Sequence, residues 1–421
     1  MRLITYKNQL VNKKTGIIQS LDSFKSMTGT IPMYLSFAVR NSVVDEDLVE
    51  VIPPSHGSGF DFFSKELAEI KAIGEAVERY SSMFYSPHFI ESPYNGEQDM
   101  LNPYIITRYT DAQYKNIYCT KVTDETLYYW VEGVNELNGK KIWIPTDLVY
   151  LKPFIKNKYP IREVISTGLA AGSSIETAKI NGTLECIERD AIVIMWLNRL
   201  SMPIISKSSI KDPEINKIIS IIEELNLEVV ILDITNDLQI ATYFAIILNR
   251  SNKLPYLSIG AGSHFSPISA LKSALTEAAA AFNIHAKKII NKSLKSIERI
   301  SDIKTMEDHL TFYALNKCDE AINFLFEGST IDFNVSSRKY IKNFEELKGH
   351  LQHLEIDLLT VDLTTEDIKQ AGMSVVRTIM PQLAFLEMSV PMLRCERIYE
   401  VPKKMGFAPP KKLNPFPHPF P

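Results

Sequence analysis

Residues 166 to 198 constrain this chain most. Ser166-Thr167-Gly168-Leu169-Ala170-Ala171-Gly172 is a small-residue run that reads as a glycine turn, and it leads into a helix carrying Asn181, Glu185, Glu188 and Arg189. Ser173 and Ser174 can cap that helix, because a side-chain oxygen at its start accepts from the free amides of the first turn. At about 100° per residue the four polar side chains fall in one stripe, beside an apolar face of Ile180, Leu184, Ile187, Ala191 and Met195. Ile192 interrupts the polar stripe. An apolar residue at that position marks the stripe as partly covered rather than freely solvated.

A second helix, expected from about residue 64 to 85, repeats the Glu-x-x-Glu-Arg spacing. Lys71, Glu75, Glu78, Arg79 and Ser82 share one face, and Ile70, Ile73, Val77, Tyr80 and Phe84 the other. Taken alone, this helix reads as a surface ladder in which Glu75 and Arg79 form an i,i+4 pair of ~0.2–0.5 kcal/mol. If the two faces meet, however, four carboxylates (Glu75, Glu78, Glu185, Glu188) and two guanidiniums (Arg79, Arg189) share one pocket. That is unfavourable without cations. Magnesium suits such a pocket because it takes carboxylate and phosphate oxygens together, and arginine suits the remaining phosphate oxygens. The implied ligand is a nucleoside triphosphate with Mg2+, and the glycine turn before the 173–198 helix adds amides able to face an anion. A third helix, from about Pro267 to Lys288, places Glu277 among Ala270, Ser273, Ala280, Ala281 and Ile284. An acid on such a face either points to solvent at an edge or reaches the same cation.

Other parts of the chain narrow the class. With 421 residues, 45% hydrophobic and 23% charged, it can bury a large core, and wholesale disorder is excluded. The net charge of −4 gives no support to nucleic-acid binding. The start lacks a signal-peptide core and no apolar run is long enough to span a bilayer, so the expectation is a cytoplasmic protein without membrane association. Cys119, Cys186, Cys318 and Cys395 show no metal or disulfide spacing and read as buried thiols. Strands are expected near 127–131, 141–145, 228–233, 241–248, 256–264, 356–363 and 373–379, alternating with helices, which makes the fold α+β with mixed sheets. Turns are expected at Pro53 to Gly59 and at Gly260-Ala261-Gly262, and residues 291 to 355 look helical and polar. No Walker loop occurs, and His264 and His285 read as structural. The end, Asn414-Pro415-Phe416-Pro417-His418-Pro419-Phe420-Pro421, is held extended by alternating prolines and is expected to lie outside the core.

As a set, these blocks resemble the YcaO family. The match rests on Gly74 to Tyr80, Ser166 to Gly172 with Gly182 to Ala191, Gly260 to His264 with Ala274 to Ala278, and the proline-alternating end. The resemblance implies a YcaO-type fold with an ATP/Mg2+ site between helices, residues 1–60 as an integrated N-terminal segment, 61–421 as the YcaO domain and 414–421 as its tail. It implies ATP-dependent cyclodehydration. A Cys, Ser or Thr side chain of a ribosomal precursor peptide attacks the preceding amide carbonyl, ATP phosphorylates the resulting oxyanion, and phosphate leaves as an azoline forms. It also assigns roles. Glu75, Glu78, Glu185 and Glu188 match the magnesium cluster; Lys71, Arg79, Asn181, Arg189 and Glu277 join them around the nucleotide; the terminal carboxylate of Pro421 matches a base or peptide-ordering group. Lys71 stands where the family often has Ser, and Ala280 and Phe282 where it commonly has Gln and Arg. The partners implied are the precursor, an E1-like or leader-recognition protein and an azoline dehydrogenase, with a homodimer also allowed. Thioamide or amidine formation, or a non-catalytic scaffold for peptide and partner, are the alternatives.

Overall fold

A computed structural model describes residues 2–26, 29–45, 50–52, 55–84, 88–97, 99–152, 160–251, 253–294, 296–303, 305–333, 339–387, 390–408 and 410–420. Three expectations fall wholly or partly outside them: the Pro53-Pro54 part of the first turn, the end of the second helix at Tyr85, and Pro421. The chain forms two compact units, one of residues 1–25, 33–186 and 351–382, the other of 26–32, 187–350 and 383–421.

In chain order the elements begin with α1 (Arg2–Leu10), β1 (Ile18–Lys25), β2 (Tyr34–Arg40), β3 (Val43–Asp45), β4 (Glu50–Ile52), β5 (His56–Asp61) and α2 (Lys65–Ser81). Then come β6 (Phe89–Pro93), β7 (Leu127–Asn135), β8 (Lys140–Pro145), β9 (Leu169–Gly172) and α3 (Ile175–Asn198). They are followed by β10 (Ile204–Ser206), α4 (Pro213–Glu223), β11 (Glu228–Asp233), β12 (Ala241–Leu248), β13 (Leu257–His264) and α5 (Pro267–Ile290). The chain closes with α6 (Met306–Leu315), α7 (Asp319–Ile322), β14 (Thr330–Asp332), α8 (Phe344–His353), β15 (Leu359–Asp362), α9 (Glu366–Gln370), β16 (Ser374–Ile379) and α10 (Arg397–Lys404). The fold is α+β, as expected.

The first unit contains an antiparallel sheet ordered β1-β2-β5 and a larger one ordered β6-β7-β15-β16-β9, with β8 paired to β7. Ser64 caps α2 by accepting from the Leu67 amide, as the residue types require. Of the apolar face expected for α2, Ile73 and Val77 are buried, whereas Ile70, Tyr80 and Phe84 are only partly so. Ala68, Ala72 and Ala76 complete the inward face. The reason lies in β5. A Cβ on Gly57 would stand 2.3 Å from the Ala72 carbonyl, and one on Gly59 only 1.9 Å from that of Ala68. Glycine on the strand and alanine on the helix let the two backbones touch, so Gly57-Ser58-Gly59 is strand and not the expected turn.

In the second unit, a sheet ordered β13-β12-β11-β10-β14 carries α5. The same device recurs: a Cβ on Gly260 would lie 2.3 Å from the Ala278 amide, and one on Gly262 2.2 Å from the Ala270 carbonyl. Gly260-Ala261-Gly262 therefore also belongs to a strand, correcting the expected turn. The 291–355 region is less polar than expected, because Leu310, Phe312, Tyr313, Ala314, Ile322 and Phe324 are buried. The proline tail also departs from expectation. Phe420 is fully buried in the same core as Trp196, Phe244 and Tyr313. Of the cysteines, Cys186 and Cys395 are buried, whereas Cys119 and Cys318 are only partly so. Among the described residues no helix is long and apolar enough to cross a membrane.

Candidate functional site

The acids singled out by spacing share one structural role: each accepts a hydrogen bond from a backbone amide. The Glu75 Oε2 atom accepts from the Ser58 N–H at 2.7 Å, Glu78 Oε1 from Ala171 at 2.8 Å, and Glu185 Oε2 from Gly168 at 3.1 Å. In the second unit Glu188 Oε2 accepts from Ser263 at 3.0 Å and Glu277 Oε2 from Ala261 at 2.7 Å. Apart from Gly168, these donors sit on β5, β9 and β13, each the edge strand of its sheet. Edge amides without a neighbouring strand need an acceptor, and a carboxylate from a packed helix supplies one with a charge-assisted bond.

In the first unit, Glu75, Glu78 and Glu185 influence one another. Burial of its carboxyl end pushes Glu78 up to about 8; the Ala171 amide opposes the rise, the carboxylates of Glu185 and Glu75 add to it, and Arg79 pulls it back. The expected surface-ladder description of α2 therefore covers only half of it. The Glu75–Arg79 pair forms at 2.6 Å with Arg79 exposed, but Glu78 points inward. Asn181 donates from Nδ2 to the Ala171 carbonyl at 3.2 Å, so Asn181 and Glu78 between them pair both backbone groups of one edge residue. The Lys71 Nζ donates to the Phe60 carbonyl at 2.9 Å and stands 3.7 Å from Asp61, with its side chain half exposed.

The small-residue stretch before α3 is held by a residue that periodicity could not single out. Arg377, on β16 and buried, donates to the carbonyls of Leu148 at 2.8 Å, Ser166 at 2.8 Å and Ile165 at 2.6 Å. Burial pulls its pKa down to about 10; the neighbouring Arg162 adds to that, and Cys186 and Glu185 oppose it. Beside it the Thr378 amide donates to Gly168, whose φ of +86° is a left-handed conformation that favours glycine. The turn is thus confined to Thr167 and Gly168, closed by the Leu169 amide on the Ser166 carbonyl, and Leu169–Gly172 is a strand, β9, rather than part of the turn. Thr177 donates its amide to the Ser174 hydroxyl, as expected for a cap.

In the second unit, Arg189 lies with its guanidinium carbon 4.8 Å from the centre of the Phe420 ring and its Nε 3.8 Å from Glu188. The next residue, Asp190, had no role in the sequence reading. It is fully buried and accepts from Arg397 Nε at 2.9 Å and Nη2 at 2.7 Å, from the Ala384 amide at 2.8 Å and from Asn236 Nδ2 at 2.8 Å. His418 pairs its Nε2 with the Glu387 carbonyl at 3.0 Å, and Trp196 donates to the Phe416 carbonyl at 3.0 Å. These contacts hold the tail in the core. Ala280 and Phe282 are buried, so neither position supplies the polar contact implied for it. Pro421 lies outside the described residues.

A family model described as YcaO cyclodehydratase, ATP- and Mg2+-binding, matches residues 61–384. The chain belongs to the YcaO family. A solved structure titled as a heterocyclase in complex with substrate and cofactor shares 20% identity and a TM-score of 0.77, covering 100% of this chain and 57% of that one. YcaO from Methanopyrus kandleri, solved with AMPPCP and Mg2+, shares 17% identity and a TM-score of 0.62, covering 91% of this chain and 90% of that one. At such identities the likeness is one of fold. An uncharacterised protein from the tfuA 3' region of Rhizobium leguminosarum bv. trifolii is 31% identical over 159 residues, 36% of this chain and 38% of that protein. This chain therefore spans little more than half of that heterocyclase and well under half of the Rhizobium relative.

The residues present fit the metal named in the family's description. Burial raises the Glu78 carboxyl to about 8, with the neighbouring Glu185 and Glu75 carboxylates adding to the rise, so its charged form is costly unless a positive charge such as a divalent cation stands beside it. Among the described residues no group of three or more His, Cys, Asp or Glu side chains is gathered closely enough to form a ready-made metal cage. That agrees with Mg2+, which keeps water and takes one or two carboxylates together with phosphate oxygens.

Proposed function

We propose that this chain is an ATP-dependent cyclodehydratase subunit that converts Cys, Ser or Thr residues of a ribosomal precursor peptide to thiazolines or oxazolines. The observation that carries the reading is Glu78, whose carboxyl is pushed up to about 8 by burial, with the carboxylates of Glu185 and Glu75 adding to the rise; a cation beside it would offset that cost. Family membership over residues 61–384 supports ATP and Mg2+ as the cofactors. When bound, MgATP supplies the phosphoryl group that turns the oxygen of a cyclised amide into a good leaving group.

The chain's own residues then divide the work. In our assignment Glu75, Glu78, Glu185 and Glu188 are the carboxylates that would serve the magnesium site, one or two directly and the others through its waters, each oriented by the backbone amide it accepts from. Arg79 and Arg189, with Lys71, Asn181 and Glu277, serve the nucleotide side, and the terminal carboxylate of Pro421 orders or deprotonates the peptide. Backbone amides are inexpensive orienting groups, because they are already fixed by the sheets. A precursor peptide, a leader-recognition partner and an azoline dehydrogenase complete the system.

The test is direct. The chain is mixed with its precursor, the partner, ATP and Mg2+, and mass spectrometry follows the loss of one water per ring. Water loss that proceeds equally without ATP contradicts the mechanism. Glu188→Gln should abolish ATP turnover, and undiminished turnover would place that residue outside the site.

A further inference from the structure

We infer that Ser58 is a positioning residue for the nucleotide site, acting through Glu75; this rests on the MgATP reading above. Ser58 lies on β5, and both of its donors converge on one atom: its amide is 2.7 Å and its hydroxyl 2.8 Å from Glu75 Oε2. The other carboxylate oxygen, Oε1, accepts from Arg79 Nη2 at 2.6 Å and Nε at 3.1 Å. Glu75 is therefore gripped at both ends. Ser58 fixes one oxygen to the strand, and the other oxygen carries the guanidinium. A change at Ser58 reaches Arg79 through a single rigid carboxylate.

The molecule contains its own control. On β13 the middle residue of the second glycine pair is Ala261, whose amide meets Glu277 Oε2 at the same 2.7 Å, but Ala261 has no hydroxyl to add. The close contact of strand and helix is alike in both places. A Cβ on Gly57 would meet Ala72 and Ala76 backbone atoms at 2.3 Å, and a Cβ on Gly260 would meet Ala274 and Ala278 backbone atoms at 2.5 and 2.3 Å. The amide contact thus follows from the strand–helix packing itself. The Ser58 hydroxyl is an addition to it, made to the acid that pairs with Arg79. An extra hydroxyl bond to a charged oxygen reduces the carboxylate's freedom to rotate and so narrows where Arg79 points.

The experiment uses the full chain with three variants: Ser58→Ala, Ser58→Thr and Glu75→Gln. Binding of the non-hydrolysable analogue AMPPCP with Mg2+ is measured by calorimetry, and unfolding midpoints are recorded alongside. Ser58→Ala should weaken AMPPCP binding about fivefold to tenfold, while Ser58→Thr, which keeps the hydroxyl, restores it to within about twofold. In the Glu75→Gln background the same Ser58→Ala change should have little further effect, because its partner is already altered. Equal binding by wild type and Ser58→Ala overturns the proposal while leaving the nucleotide reading intact, as does a loss that Ser58→Thr fails to restore. Absence of binding by the wild type overturns the nucleotide reading and this proposal with it.

Discussion

Glu78 offers the sharpest test of the crowded carboxylates. In the folded protein its carboxyl group is pushed up to about 8 from an ordinary value of 4.5, mainly by burial, with Glu185 and Glu75 adding to the rise. A group raised in the folded state contributes stability that is fully present below its unfolded value and lost as pH climbs through its folded value. The whole span is worth at most about 5 kcal/mol, at about 1.4 kcal/mol for each tenfold change in proton affinity. Most of that loss has occurred by pH 7. Between pH 7 and pH 9 the native carboxyl gives up its remaining proton, while the unfolded one has none to give. Metal-free wild type should therefore lose roughly 1 kcal/mol over that interval through this group alone. Glu78→Gln keeps an oxygen to accept from the Ala171 amide and removes the titrating charge. Urea unfolding of both proteins in EDTA at pH 7, 8 and 9 isolates the effect, since all other groups titrate in both. The wild-type decline should be steeper by roughly 1 kcal/mol, and Mg2+ added at pH 9 should recover more stability in the wild type than in Glu78→Gln. Parallel declines would refute it, because the carboxyl would then be ionised at an ordinary pH and need no cation.

Three further outcomes follow from the packing. Phe420→Ala removes a fully buried ring and should cost about 3–5 kcal/mol in denaturant unfolding; a cost below about 1 kcal/mol would mean that the tail is not part of the core. Asp190→Ala leaves Arg397 buried without one of its two aspartate partners and should cost about 3–5 kcal/mol, with the tail more readily cut by protease; unchanged proteolysis would separate Asp190 from tail anchoring. Arg377→Met strips the donors from the Leu148, Ile165 and Ser166 carbonyls and should cost roughly 3 kcal/mol or more. Hydrogen exchange should then rise at Gly168 and Leu169. Unchanged protection there would exclude Arg377 as the holder of that turn.

Much of the candidate site was legible in the sequence because helical spacing is local. Offsets of three and four put Glu75, Glu78 and Arg79 on one face of α2, and Glu185, Glu188 and Arg189 on one face of α3, whatever surrounds them. Strands β11 and β12 followed in the same way from runs of Val, Ile and Phe, and their bounds match the expected ones. The glycine pairs were legible only as special positions. A Gly-x-Gly satisfies a turn and a close strand–helix contact equally well, and the choice depends on Ala68, Ala72, Ala270 and Ala278 lying opposite. Residues such as Ser58, Arg377 and Asp190 carry no periodic signal of their own.

What the sequence determined by itself, then, was the set of acids and arginines, the helices that display them, and the family they belong to. Tertiary structure alone decided which backbone amide each acid accepts from, that Glu78 is the acid whose carboxyl is pushed up to about 8, and that Phe420 is core rather than a free arm. The physical reason is range. A helix face depends on neighbours three or four residues away, whereas the Ala171 amide reaches Glu78 across 93 residues, and Asp190 meets Arg397 across 207. Such pairings depend on how whole sheets and helices pack, and no local pattern in the chain encodes them.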